Sequence, residues 1–262
     1  MTRHRPIHHD RHPPHFLLPD RFRYPWTENI PQLAGSTFGP DEYATAAKGA
    51  PITGTLFMEA AAHPDDAADE AAWFAECAAD PTNTLLGVIA CVQPEASDFT
   101  ARFDQLSGPH LKGIRRVLHT EPDDLSRAEG FRQNVRELGR RGLPFDLCLR
   151  KDQLGIGLEL VRACPDTFFV LNHCGVPDIA ANDASHGEGW TQWRDAVREL
   201  AACPNTAVKI SGILLYAAES QRNADGLRPY VDSVLEAWGT ERAVWGGDWP
   251  VCPRRPSSSP IS

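Results

Sequence analysis

Apolar residues along this chain gather in short runs, and stretches of helical period lie between several of them. Runs of strand type occupy 52–58, 85–92, 111–118, 144–149, 167–172, 207–211 and 242–246. The run 85–92 (LLGVIACV) is nearly all apolar. It lacks the alternation of a half-exposed strand and fits a parallel strand covered on both faces. Four segments carry an apolar stripe near a 3.6-residue period. In 124–141 the stripe is Leu125, Phe131, Val135 and Leu138, with Gly142 after it. In 152–164 it is Leu154, Leu158 and Val161, stopped by Pro165. In 188–203 it is Trp190, Trp193, Val197 and Leu200, before Pro204. In 227–238 it is Leu227, Val231, Val234, Leu235 and Trp238, before Gly239. Each stripe needs a sheet beneath it. Seven runs, with one further strand expected near the N-terminus, make eight. Eight strand–helix repeats in 262 residues predict a (β/α)8 TIM barrel. A doubly wound open sheet is the rival, but no glycine-rich phosphate loop follows the early strands.

No linker divides the repeats, so one domain is expected over 1–262. Its ends at 1–21 and 253–262 are expected to be irregular, because they are rich in proline with histidine or serine. With 42% hydrophobic and 23% charged residues the composition is that of a globular protein. Lys and Arg number 26 against 35 Asp and Glu, a net charge of −9, which argues against a nucleic-acid partner. No stretch nears the roughly 18 uninterrupted apolar residues of a membrane span. No apolar segment follows the basic N-terminus as in a secretory signal. Seven scattered cysteines with no CxxC pair fit a reducing, cytoplasmic setting.

In a barrel the chemistry sits where strands run into their following loops. Those places hold Glu59, then Arg115, Arg116 and His119, then Asp146, then Asn172 and His173, then Lys209 and Ser211, and finally Asp248. His173 suits a metal ligand or a proton shuttle. Asp248, between two glycines and Trp249–Pro250, suits a general base on water or a metal ligand, the alternative being an Asx turn. Asn172 is expected on the opposite side of the strand from His173 if the strand persists that far. Of Arg115 and Arg116 one should face inward, where a guanidinium holds a carboxylate, and the other should face the helices. Lys209 lies in an otherwise buried strand and needs a partner, which is Asp146, Asp248 or an anionic substrate. The histidines His8, His9, His12 and His15 invite a metal reading, yet HPPH at 12–15 breaks strand spacing and its prolines argue against a ladder. A basic arm is the alternative. Cys174, beside His173, is the one cysteine placed to be reactive.

Six segments taken together resemble the amidohydrolase-related family typified by 2-pyrone-4,6-dicarboxylate lactonase and the sugar-lactone hydrolases. They are FRYPW at 22–26, GIRRVLHTEPD at 113–123, FDLCLR at 145–150, VLNHCGVPDI at 170–179, NTAVKISG at 205–212 and ERAVWGGDWPVC at 241–252. The resemblance implies a distorted TIM barrel of metal-dependent-hydrolase type that opens a small lactone with activated water. The substrate would be a small molecule, anionic or polyhydroxylated. His173 and Asp248 match the family's strand-six histidine and strand-eight aspartate. Arg115 or Arg116 matches its substrate-binding arginine, with His119, Asp146 and Lys209 nearby. Asp10, His12, His15 and Phe16 look like a remnant of its H-x-H stretch, with one residue inserted. Metal use varies among relatives. Either one divalent ion, Zn or Mn, is held by His12, His15, His173 and Asp248, or none is used. Relatives carry a further helix after the last motif, whereas here CPRRPSSSPIS follows. A bare apolar flank on the last strand is therefore expected, and a homodimer would cover it. A related decarboxylase and a degenerate, non-catalytic barrel are the alternatives.

Overall fold

The computed structural model describes residues 11–181 and 187–252. Its first half runs β1 (Arg11–His12), α1 (Pro40–Ala46), β2 (Gly54–Met58), α2 (Ala67–Ala79), β3 (Leu85–Cys91), α3 (Phe99–Leu106), β4 (Leu111–Val117) and α4 (Glu129–Arg140). The second half runs β5 (Phe145–Cys148), α5 (Leu154–Ala163), β6 (Phe169–Leu171), α6 (Glu188–Ala201), β7 (Thr206–Ile210), α7 (Ala224–Trp238) and β8 (Ala243–Trp245). The strands form one sheet in sequential order from β1 to β8, and every neighbouring pair is parallel. Beyond β1 and β8 the ring closes through the backbone: His15 N–H donates to the Trp249 carbonyl at 2.8 Å. The architecture is the (β/α)8 barrel that the pattern predicts.

All seven predicted runs become strands, and their apolar character has the expected cause. Every residue of β5 and β6 is buried, because barrel side chains lie inside and helices cover the outside. Phe145 and Phe169 stand in register on neighbouring strands, edge to face at 6.1 Å. The predicted stripes are the buried faces of α4, α5 and α6. Two helices differ from expectation. Residues 124–141 split, because Ala128 is extended between a 3-10 turn (Leu125–Arg127) and α4. The helix expected at 227 begins at Ala224, where Asn223 Oδ1 accepts the Gly226 N–H at 3.0 Å and supplies the cap. The pattern did not show α1, α2 or α3. In α2 (AADEAAWFAECAA) alanines fill both faces, so helix propensity is high while the contrast between faces is low.

The N-terminal segment carries a correction. Despite HPPH, Arg11 and His12 pair with Gly54 and Thr55, and the Pro14 carbonyl accepts the Met58 N–H at 3.0 Å. The prolines are tolerated because the neighbouring strand takes only a carbonyl from them. Phe16 and Leu17 follow in the core. The seam is packed by an aromatic cluster: Trp249 meets Phe16, Phe38 and Tyr43 edge-on at 6.1, 5.6 and 5.3 Å. Among the described residues no helix follows β8, and Trp245 on that strand is 54% exposed, where the bare flank was expected. Residues His8, His9 and Asp10 lie outside the described residues, as does the side chain of His12. No helix among the described residues is long and apolar enough to cross a membrane.

Candidate active site

The polar strand ends converge in two adjoining groups. The first gathers at the seam. Asp248 Oδ1 lies 3.5 Å from His15 Nε2 and 3.9 Å from His173 Nε2. Both imidazoles are tethered through the other nitrogen. His15 Nδ1 donates to the Glu59 carbonyl at 2.8 Å and meets the Met58 carbonyl at 3.2 Å. His173 Nδ1 is 2.9 Å from Ser211 Oγ. The second group is carried by β5, by β7 and by the residue just past β6. Lys209 Nζ donates to Asp146 Oδ1 at 2.5 Å, and Asn172 Nδ2 donates to the same oxygen at 2.6 Å. Asp146 is therefore the partner of Lys209. A cavity of about 10 Å³, close to one water molecule in size, joins the two groups. His15, Asn172, His173, Lys209, Ser211 and Asp248 line it.

Strained backbone aims these groups. Among the described residues five non-glycine residues adopt left-handed φ: Ala61 at 50°, His173 and Cys174 at 53°, Val176 at 52° and Asp248 at 54°. All follow β2, β6 or β8, and such conformations persist only where the surroundings enforce them. The separation of Asn172 from His173, expected only if the strand persisted that far, does not arise. β6 ends at Leu171 and the chain turns left-handed at His173, so both side chains line the cavity. Gly212, which the sequence did not mark, has φ 66°, and a Cβ there would lie 2.6 Å from His173 Nδ1 and 3.1 Å from Asp248 Oδ2. Only glycine allows that approach.

Charge states follow from burial and neighbours. Burial pushes the Asp248 carboxyl up, but His173, His15 and Arg115 outweigh it and hold the group below the ordinary aspartate range. Burial pushes the His173 imidazole down to about 4, against the pull of Asp248. At neutral pH Asp248 is thus a carboxylate beside a neutral His173. Burial also lowers Lys209, with Asp146 opposing.

The two arginines divide as alternation predicts. Arg115 points inward, with Nη1 3.3 Å from Glu59 Oε1 and Nη2 3.2 Å from Cys148 Sγ. Arg116 turns to the other face and pairs with Glu95 at 2.6 Å and Glu121 at 3.1 Å, so it is not brought to the site. His119 sits exposed at the rim, its Nδ1 3.4 Å from Cys148 Sγ. Cys174 is buried, and burial pushes its thiol up to about 12, which removes the expected reactivity.

A family model described as amidohydrolase matches residues 8–260. The chain belongs to the amidohydrolase family. This amidohydrolase is 30% identical over 260 residues to the uncharacterized protein y4mH of Sinorhizobium fredii, covering 91% of this chain and 84% of that one. It is 29% identical over 190 residues to an L-fucono-1,5-lactonase of Burkholderia multivorans, covering 70% of this chain and 64% of the lactonase. A crystal structure of an amidohydrolase from Burkholderia multivorans with bound zinc superposes with a TM-score of 0.79 at 27% identity, covering 93% of this chain and 84% of that one.

In this amidohydrolase two imidazole nitrogens face one carboxylate oxygen, and both rings are anchored through the opposite nitrogen. Those are the donor types, and the tethers, of divalent-metal ligands. Among the described residues, however, no group of three or more His, Cys, Asp or Glu side chains is placed to hold an ion.

Proposed function

We propose that this amidohydrolase opens a small lactone, of the sugar-lactone or pyrone-dicarboxylate type, with Asp248 as the general base on water. The observation that carries it is an ionised, buried aspartate facing two tethered imidazoles across a cavity of single-water size. The L-fucono-1,5-lactonase relative supports the substrate class.

Asp248 accepts a proton from the water, whose oxygen adds to the lactone carbonyl. The His15 and His173 rings orient that water and the carbonyl, and the carbonyl and hydroxyl partners of their Nδ1 atoms keep them from turning away. Burial keeps His173 neutral, and its Nε2 lies 3.9 Å from the carboxylate. Arg115, with His119 at the rim, orients an anionic or hydroxylated substrate, while Glu59 holds the guanidinium in place. Arg116 takes no part, since two carboxylates hold it on the far face. Among the described residues His15, His173 and Asp248 are not placed to hold a zinc or manganese ion, so no step runs through one.

The test is proton release from a panel of aldono-1,5-lactones, aldono-γ-lactones and pyrone dicarboxylate. The expected result is turnover of at least one compound, and a fall in kcat of about 10²–10⁴-fold in Asp248→Asn. Unchanged kcat in Asp248→Asn overturns the assignment of the base. Release of CO2 instead of acid marks a decarboxylase, and no turnover at all marks a non-catalytic barrel.

A further inference from the structure

The turn at 59–61, just past β2, holds two parts of the site at once. The Glu59 carbonyl accepts the His15 Nδ1 proton at 2.8 Å, and Glu59 Oε1 lies 3.3 Å from Arg115 Nη1. The turn itself is strained and closely tied. Ala61 has a left-handed φ of 50° and its N–H donates to Glu59 Oε2 at 2.7 Å. The Ala60 carbonyl accepts the Trp26 indole N–H at 2.7 Å. Such a conformation persists only where the surroundings enforce it. Against the turn lies Glu70 of α2, which like Glu59 is only 1% exposed. Its carboxyl is hydrogen-bonded to the Ala60 N–H and to the Tyr24 hydroxyl, and that hydroxyl in turn accepts the Leu18 N–H at 3.4 Å. Glu59 Oε1 and Glu70 Oε1 are both buried without a hydrogen bond. Two like charges buried together are costly, and a proton on one carboxyl turns an acceptor into a donor.

We propose that Glu70 is the positioning residue of this turn, and through it of His15 and Arg115. It acts as the neutral acid. Its bonds to Ala60 and Tyr24 hold the turn without placing a second negative charge beside Glu59. Burial, and after it Glu59, push the Glu70 carboxyl up to about 8, so the proton stays on at neutral pH. The groups that face it are Glu59 past β2, Tyr24 on the N-terminal segment, Cys91 at the end of β3, and Asp66 ahead of α2, itself tied to Arg23 at 2.6 Å. Arg115 of β4 reaches it through Glu59. As pH rises through about 8, Glu70 becomes a carboxylate beside Glu59 and strains the turn that carries the His15 acceptor and the Arg115 partner. The effect on catalysis rests on the lactonase reading above, whereas the proton and the turn do not.

Trp26 carries the first readout, because its indole N–H is bonded to the turn. In a proton–nitrogen correlation spectrum, with the peak assigned by Trp26→Phe, the wild-type indole signal should shift with a midpoint near pH 8. In Glu70→Gln, which keeps the shape and the acceptor but has no proton to lose, it should stay in place. A signal that does not titrate in wild type, or titrates equally in Glu70→Gln, overturns the proposal. So does a Glu70→Gln chain that fails to fold, since the neutral isostere should satisfy the site. The second readout is turnover of the best aldonolactone, corrected for spontaneous opening. Glu70→Ala should lose about 10-fold or more in kcat/KM at neutral pH, through KM as Arg115 shifts and through kcat as His15 shifts. Glu70→Gln should restore most of that loss and, unlike wild type, should hold its kcat/KM as pH rises past about 8. Glu70→Gln as impaired as Glu70→Ala, or an alkaline fall common to Glu70→Gln and wild type, overturns the proposal. Where Glu70→Ala does not fold, the indole signal and the Glu70→Gln profile decide. If the wild type opens no lactone, the lactonase reading has failed, and the indole titration alone decides the role of Glu70.

Discussion

The two sides of the barrel are built differently. From β3 to β7 every neighbouring pair of strands is in register over three or four positions, as from Ile114↔Phe145 to Val117↔Cys148, and helices cover their outer faces. At the seam β1 and β8 are not paired as strands among the described residues, and closure there comes from one backbone hydrogen bond and the aromatic cluster around Trp249. Yet His15 and Asp248 belong to the seam, and Lys209 and His173 lean toward it. The well-paired side supplies stability and a fixed floor. The seam, where strand pairing stops early, leaves backbone free to turn left-handed and aim side chains into the cavity.

That contrast predicts large losses of stability on one side and losses of activity on the other. Phe145→Ala, at a fully buried ring on β5, should cost about 3–5 kcal/mol in chemical denaturation, and a smaller loss would mean the frame is looser than its registers imply. The next effect is pH-dependent. His173 is held down at about 4 in the fold against 6.5 for an ordinary histidine, so the unfolded chain binds the extra proton first. Stability is therefore whole above pH 6.5 and falls by up to about 3 kcal/mol as pH drops toward 4. Denaturation of chelator-treated protein across that window should show the slope, and His173→Gln should flatten it. Gly212→Ala comes third. Its methyl would displace His173, so kcat should fall by roughly 10²-fold while stability changes by about 1 kcal/mol. A larger change in stability than in activity would break the division between frame and seam. The smallest effect is expected from Trp245→Ala on the exposed flank, within about 0.5 kcal/mol by thermal unfolding of the isolated chain.

Legibility followed the range of the interaction concerned. The strands of the frame were readable because burial on both faces leaves an uninterrupted apolar run, and α4 to α6 because one buried face leaves a stripe. Alanine-rich α2 was not, since its two faces scarcely differ. Arg115 and Arg116 were separable as inward and outward by the period of two alone. Which of Asp146 and Asp248 pairs with Lys209 was not decidable, because both lie far from it in the chain. His15 was ambiguous for a related reason: the prolines before it look hostile to a sheet until a neighbouring strand is seen to need only their carbonyls.

The sequence by itself determined the repeating strand–helix order, and hence a barrel with its polar strand ends at one mouth, because periodicity is written residue by residue. Only the tertiary structure decided which of those ends meet. Convergence of His15, His173 and Asp248 depends on closing the ring and on left-handed turns just past β6 and β8, and neither leaves a local pattern of hydrophobic positions.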